Sequence, residues 1–240
     1  MVFKNPKYGS LLNECDLAYF LNRSGEKVSS DSISEVIKTH YKGYDIFIKK
    51  YYKPGKSFIR KLSNFIPFIY SKGLSEYNNL SYFSHHDFLT PDILFFDEQK
   101  GQSCLVTLAL SNSVDLSKYY SQFPPRFTSR HNNAYYLFDF AFLLAKLHKL
   151  GFIHRDYKLR NVLLSQDKKL YLIDCPNGFK KNRTLAKEHY ITRDLAIVYK
   201  DLKKVLSKTQ MLRLYKHYYN LLDTFDEQSK HKIKQILRYY

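Results

Sequence analysis

The sequence contains no tryptophan, only three cysteines in 240 residues, and no run of about 18 apolar residues. The last absence predicts that nothing spans a bilayer. Cys15, Cys104 and Cys175 are too scattered for a disulfide framework or a zinc site. The opening stretch MVFKNPKYGSLLNECDLAYF interrupts its apolar residues with Asn, Glu, Cys and Asp, so it makes a poor signal peptide. Together these features predict a cytoplasmic chain. Acidic residues are scarce too: 22 Asp and Glu stand against 39 Lys and Arg, a formal net charge of +17. Such a field concentrates polyanions, whether nucleic acid, anionic lipid headgroups or a phosphorylated glycolipid, and does not choose among them. A solvated lysine-rich surface explains the same charge with no partner at all.

What is present has the balance of a folded globular protein, 44% hydrophobic and 25% charged. SEVIKTHY and DIFIKKYY, joined at Lys42-Gly43, read as a β-hairpin that ends before Pro54-Gly55. SEYNNLSYFSHH follows helical spacing through Glu76, Leu80 and Phe83, and TPDILFFDEQKGQSCLVTLAL reads as two strands turning at Gln99 to Gly101. Beyond Ser111 the pattern becomes helical. Leu137, Phe140, Ala141, Leu144 and Leu147 form one stripe, and Gly151 stands where the helix should stop. NVLLS and LYLID are short apolar strands across a polar turn. Residues 1–110 are therefore expected as a β-rich unit and residues 111–240 as a mainly helical one.

The chemistry gathers in GFIHRDYKLRNVLLSQDKKLYLIDCPNG, Gly151 to Gly178. Phosphoryl transfer from ATP needs a carboxylate facing the acceptor hydroxyl, oxygen ligands for Mg²⁺, and a cation on the phosphates. Asp156 is the candidate carboxylate, on the loop that leaves the long helix. Asn161 and Asp174 flank a hairpin that can bring two oxygen ligands to one metal. Lys158 is the candidate cation for the transferred group.

The order long helix, His-Arg-Asp, Asn five positions later, hairpin, Asp resembles the protein-kinase-like fold. That resemblance implies α+β architecture in two lobes, a small β-rich N-lobe for nucleotide and a trimmed, mainly helical C-lobe. It also implies a strand lysine for the α/β-phosphates and a helix glutamate paired with it, for which Lys49 and Glu76 are the candidates. Lys50 is the alternative lysine, and strand alternation sends it to the opposite face. Taken without that framework, the two lysines and Glu76 read better as ordinary surface residues. Two departures are plain. No G-x-G-x-x-G precedes Lys49, NRSGEKVSSD being the nearest stretch, and the metal triplet is Asp174-Cys175-Pro176.

A further helix is expected from about Thr192-Arg193-Asp194, too soon after Asp174 for the peptide-docking segment of a protein kinase. IKKYYKPG, the Thr-Pro before ILFF, CLVTLALSNSVDL, KLYLID and RDLAIVYKDLKKVLSKTQMLRLYKHYY are similar to the lipopolysaccharide kinase (Kdo/WaaP) family, over about Ile46 to Tyr219. The resemblance implies an ATP- and Mg²⁺-dependent kinase of a Kdo or heptose hydroxyl on the lipopolysaccharide inner core. It implies peripheral placement on the cytoplasmic face of the inner membrane, an anionic membrane surface as partner, and no nucleic acid. It also gives Asp194 a structural role, bracing the catalytic loop. KKYYKPGKSFIRKL could hold anionic sugars, and KHKIKQILRYY, with Ile233, Ile236, Leu237 and Tyr240 on one face, suits either a membrane surface or simple packing on the lower lobe. Kinases of proteins or other small molecules, and a nucleotide-binding scaffold without turnover, are the competing readings.

Overall fold

The computed structural model describes residues 1–53, 70–127, 133–181, 184–223 and 226–239, without the side chains of 184–187, 228 and 237–239. The chain is mixed α/β and divides into two compact units, Met1–Ser111 and Asn112–Tyr240.

The first unit is built on one antiparallel six-stranded sheet. Its strands are β1 (Val2–Lys4), β2 (Glu26–Ser30), β3 (Ser34–Tyr41), β4 (Tyr44–Tyr51), β5 (Ile93–Gln99) and β6 (Gln102–Leu108), in the order β1-β5-β6-β4-β3-β2. Strand alternation divides β4 between two environments. Ile46, Ile48 and Lys50 face the short helices α1 (Gly9–Leu12) and α2 (Leu17–Asn22), where Leu12, Phe20, Ile37, Phe95 and Val106 close a core. Phe47, Lys49 and Tyr51 face the other way, toward the longer helix α3 (Lys72–His85). Ser71 caps α3 by accepting from Leu74 N at 3.0 Å and donates to Glu98 at 2.6 Å, tying the helix start to β5.

The opening residues, whose sequence suggests only what they are not, form the edge strand β1 beside β5. Helix α3 begins at Lys72, three residues ahead of the helical spacing read from Ser75, so Glu76 lies in its second turn. Gly73 sits where α3 crosses the sheet: a Cβ there would lie 2.0 Å from Ser103 Oγ and 3.0 Å from Tyr51 Cδ2. Ser103 and Tyr51 are both buried, so neither can step aside. Gly73→Ala is expected to displace α3 and to destabilise the first unit by about 1–3 kcal/mol, the usual range for overpacking. Thermal unfolding would check it, and an unchanged Tm would show that the crossing is looser than it looks.

The second unit carries α4 (Leu116–Gln122), α5 (Tyr135–Lys149), α6 (Thr184–Leu202), α7 (Lys208–Leu221) and α8 (Glu227–Tyr239). Its short strands are β7 (Val114–Asp115), β8 (Phe152–Ile153), β9 (Val162–Leu164), β10 (Leu170–Leu172) and β11 (Phe179–Lys180). Every residue of the stripe Leu137, Phe140, Ala141, Leu144 and Leu147 is buried, and α5 stops at Leu150 with Gly151 following at φ 75°. Helix α6 begins at Thr184, well before the expected Thr192. Its apolar period (Leu195, Ala196, Val198, Tyr199, Leu202) starts only at its middle, and the exposed Glu188 and His189 ahead of it carry no signal. The apolar face of α8 is turned inward: Ile233 and Ile236 are each 1% exposed where α8 packs on α6 and α7. Those two side chains are thus not offered to a bilayer, and Leu237 and Tyr240 lie outside the described side chains, as do residues 54–69 of the basic-aromatic stretch. Among the described residues no helix is long and apolar enough to cross a membrane.

Candidate active site

In the first unit, Lys49 Nζ lies 2.9 Å from both carboxylate oxygens of Glu76. Glu76 is 3% exposed and also accepts from the Tyr51 hydroxyl. A carboxylate so deeply placed needs such donors, because an unpaired buried charge is costly. Tyr51 is the residue that sequence reasoning missed, though alternation could have found it: two positions past Lys49, it shares the face that meets α3. Lys50 is buried on the opposite face, donating to Arg23 O at 2.6 Å, with Glu35 Oε2 at 3.9 Å. Its position is that of a structural lysine.

The hairpin turn between β2 and β3, where a glycine-rich loop would be expected, is closed by a side chain instead. Asp31 accepts from Ile33 N at 2.9 Å, Ser34 N at 2.8 Å and Ser34 Oγ at 3.0 Å. Burial pushes its pKa up, yet these donors outweigh it and bring the carboxyl down to about 2. Gly25, the one glycine of NRSGEKVSSD, does a different job. A Cβ there would lie 2.4 Å from Lys38 O, so it permits close approach of the chain to β3.

In the second unit the His154–Asn161 loop is pinned from several sides. Asp194, 0% exposed on α6, accepts from His154 N and Arg155 N, both at 2.7 Å, and lies 3.3 Å from His148 Nε2. Asp201, about two turns further along α6, accepts from Leu159 N at 2.7 Å. The Tyr157 hydroxyl donates to Phe140 O at 2.8 Å. His154 is wholly buried, and burial lowers its pKa against the opposing pull of Asp194, which favours the neutral ring. Asp201 was not foreseen; its only sequence signal is its position seven residues after Asp194, two helical turns on, on the same face.

This frame presents the Asp156 side chain, 25% exposed, with three donors around it. Lys158 Nζ bonds Oδ1, Arg160 lies 3.6 Å from Oδ2, and Asn161 Nδ2 donates to the backbone oxygen at 2.9 Å and to Oδ2 at 3.3 Å. Lys158, proposed from sequence as a phosphate ligand, thus rests on Asp156 here, and Arg160 joins it. Antiparallel β9 and β10 bring the two ends of the hairpin together, and Ile173 N donates to Asn161 O at 3.0 Å. Asp174, next in the chain, is partly exposed and sits at φ 58°; Arg155 sits at φ 65°. Left-handed backbone at non-glycine residues costs about 1–3 kcal/mol each and tends to cluster at functional sites. Cys175, where a kinase-like triplet has Phe, is fully buried with its Sγ 3.9 Å from His154 O.

The donor set fits magnesium. With its amide nitrogen donating to Asp156, Asn161 would offer its carbonyl oxygen and Asp174 its carboxylate. Mg²⁺ is held by one or two such protein oxygens together with phosphates and water. Among the described residues no group of three or more His, Cys, Asp and Glu forms a protein-only metal cage.

Comparison with known families adds the family to this geometry. The sequence model of the lipopolysaccharide kinase (Kdo/WaaP) family matches residues 28–218. The chain belongs to the lipopolysaccharide kinase family. The match begins ahead of Ile46, taking in most of β2 and the Asp31 turn, and it contains Lys49, Glu76, Asp156, Asn161 and Asp174. Membership makes the chain one of a family of phosphotransferases that use ATP. A solved structure titled "WaaP in complex with acyl carrier protein" superposes with a TM-score of 0.69 at 17% sequence identity, covering 100% of both chains. The chain therefore shares the fold of WaaP. Comparison with curated proteins finds no match.

Proposed function

We propose that this lipopolysaccharide kinase transfers the γ-phosphoryl group of ATP to a sugar hydroxyl, of Kdo or heptose, on the lipopolysaccharide inner core. What supports the reading most directly is the Asp156 loop, carried by Asp194 and Asn161 in a chain of this family. In this reading the two compact units serve as the lobes of a kinase-like enzyme. The Lys49 ammonium, oriented by Glu76, binds the α/β-phosphates. Asp156 orients the acceptor hydroxyl and takes its proton, and Lys158 and Arg160 offset charge that builds on the transferred group. Asn161 and Asp174 would hold Mg²⁺, which supplies neutralisation of the phosphate charge. The enzyme works at the cytoplasmic face of the inner membrane, and its +17 charge draws it to a strongly anionic acceptor and surface. Protein substrates fit less well, because only nine residues separate Asp174 from the start of α6.

The test is to incubate the purified chain with ATP, Mg²⁺ and inner-core lipopolysaccharide and to analyse the glycolipid by mass spectrometry. A gain of about 80 mass units, one phosphate, on a single core sugar is expected. An unchanged glycolipid beside intact nucleotide binding would favour a scaffold without turnover.

A further inference from the structure

At the far end of the β9–β10 hairpin, roughly 15 Å along it from Asn161, the second unit holds a cavity of about 540 Å³. Its walls include Tyr119, Phe123, Tyr135, Tyr136, Arg126 and Lys168. The volume lies within the usual range for small-ligand sites. The rim is built, because the Asn133 side chain staples it. Asn133 accepts from Arg126 N at 2.7 Å and donates to Phe123 O at 3.0 Å and Pro124 O at 3.2 Å, while its backbone oxygen accepts from the Tyr120 hydroxyl at 2.9 Å.

Two features of the lining point to the ligand. The first is aromatic surface left in water: Phe123 is 54% and Tyr135 37% exposed. Tyr119 stands perpendicular to Tyr136, with centroids 5.5 Å apart, and tilted against Phe123 at 5.4 Å. Such an arrangement offers ring faces on which the apolar face of a sugar can rest and phenol hydroxyls that can meet its polar groups. The second is charge. Lys169 is paired with Asp167 at 3.0 Å, whereas among the described residues neither Lys168 nor Arg126 has an acidic partner. Two such cations beside aromatic walls suit a carboxylate or phosphate on the same ligand.

We infer that this cavity is a second saccharide site, binding an acidic sugar away from the Asp156 loop. The choice of a sugar rests on the reading of the chain as a lipopolysaccharide kinase, whose acceptor carries several acidic groups; the position of the site does not. Occupied by one residue of the glycolipid, it would fix the acceptor chain while another residue is presented for transfer.

Binding is measured by calorimetry on the full chain with free Kdo, with glucose as the neutral comparator and AMP as the flat-base comparator. Kdo is expected to bind saturably and glucose at least about tenfold more weakly, since the neutral sugar lacks the charge-assisted contact. Arg126→Ala with Lys168→Ala should weaken Kdo by about tenfold or more. Lys169→Ala with Lys230→Ala removes the same charge outside the cavity and should leave Kdo affinity unchanged. Absence of saturable Kdo binding, equal losses in the two double variants, no loss in either, or tighter AMP binding with the same dependence would each overturn the inference. No turnover is read, so the two ideas fail separately. Phosphate transfer without this binding rejects the cavity, and binding without transfer rejects the kinase reading.

Discussion

Replacing Asp156 by alanine is expected to lower phosphoryl transfer about 10³-fold, the scale of losing a positioned acid–base group, with nucleotide affinity and Tm close to the parent's. The two halves of that expectation come from different contacts. The rate should fall because the carboxylate is the only acidic group that the His154–Asn161 loop presents, and Lys158, Arg160 and Asn161 all converge on it. Stability should hold because the loop does not hang from that side chain. Asn161 still donates to the backbone oxygen of residue 156 at 2.9 Å, and Asp194 and Asp201 still take the amides of His154, Arg155 and Leu159. Asp156→Asn separates shape from basicity: it keeps a hydrogen-bonding side chain of the same size and should be nearly as inactive. Turnover on inner-core lipopolysaccharide and fluorescence titration of nucleotide would measure both. Parent-like turnover by either variant would remove Asp156 from the reaction.

The contrast between legible and hidden features follows from the range over which each signal acts. Lys49 and Glu76 could be paired only through the resemblance to a kinase-like fold; their periods placed them on a strand and a helix, the strand with alternating burial and the helix with Tyr77, Leu80 and Phe83 inward, but did not join them. Asp156, Asn161 and Asp174 could be grouped because a short hairpin returns the chain to its starting point, and the register Leu164–Leu170 shows that return. The edge strand β1 was hidden, since three residues carry no period and their partner, β5, lies some ninety positions away. The start of α6 was hidden for a different reason: Glu188 and His189, ahead of its buried half, are exposed, so no apolar period marks them. The aromatic cavity was beyond sequence altogether. It joins Tyr119 and Tyr136 to Lys168 through the fold, with a single asparagine, Asn133, setting the rim. The membrane-or-packing choice for the terminal helix was undecidable from amphipathicity, because both alternatives need the same apolar stripe; burial of Ile233 and Ile236 shows where these two side chains go.

Asp194→Asn is expected to cost the second unit about 3 kcal/mol and to lower its Tm by roughly 10–15 °C, with a large fall in transfer rate. The native carboxylate accepts two backbone amides through separate oxygens and meets His148 as well, all at 0% exposure. Asparagine offers one oxygen, so its NH₂ must confront either the His154 or the Arg155 amide, and that amide has no water to turn to. Arg155 is the more vulnerable. It sits at φ 65°, in a conformation that non-glycine residues avoid, and the bond from its amide to Oδ1 helps to hold it there. Relaxation of Arg155 would swing Asp156, the next residue, away from the geometry that Asn161 and Lys158 fix. A merely structural role for Asp194 predicts that activity returns once the assay is cooled well below the variant's Tm. A positioning role predicts that kcat stays depressed in the cold while nucleotide affinity recovers, because the fault lies in where Asp156 points and not in how much protein is folded. Full recovery of kcat at low temperature would reduce Asp194 to a stabilising contact and leave the orientation of Asp156 to Asn161 and Lys158.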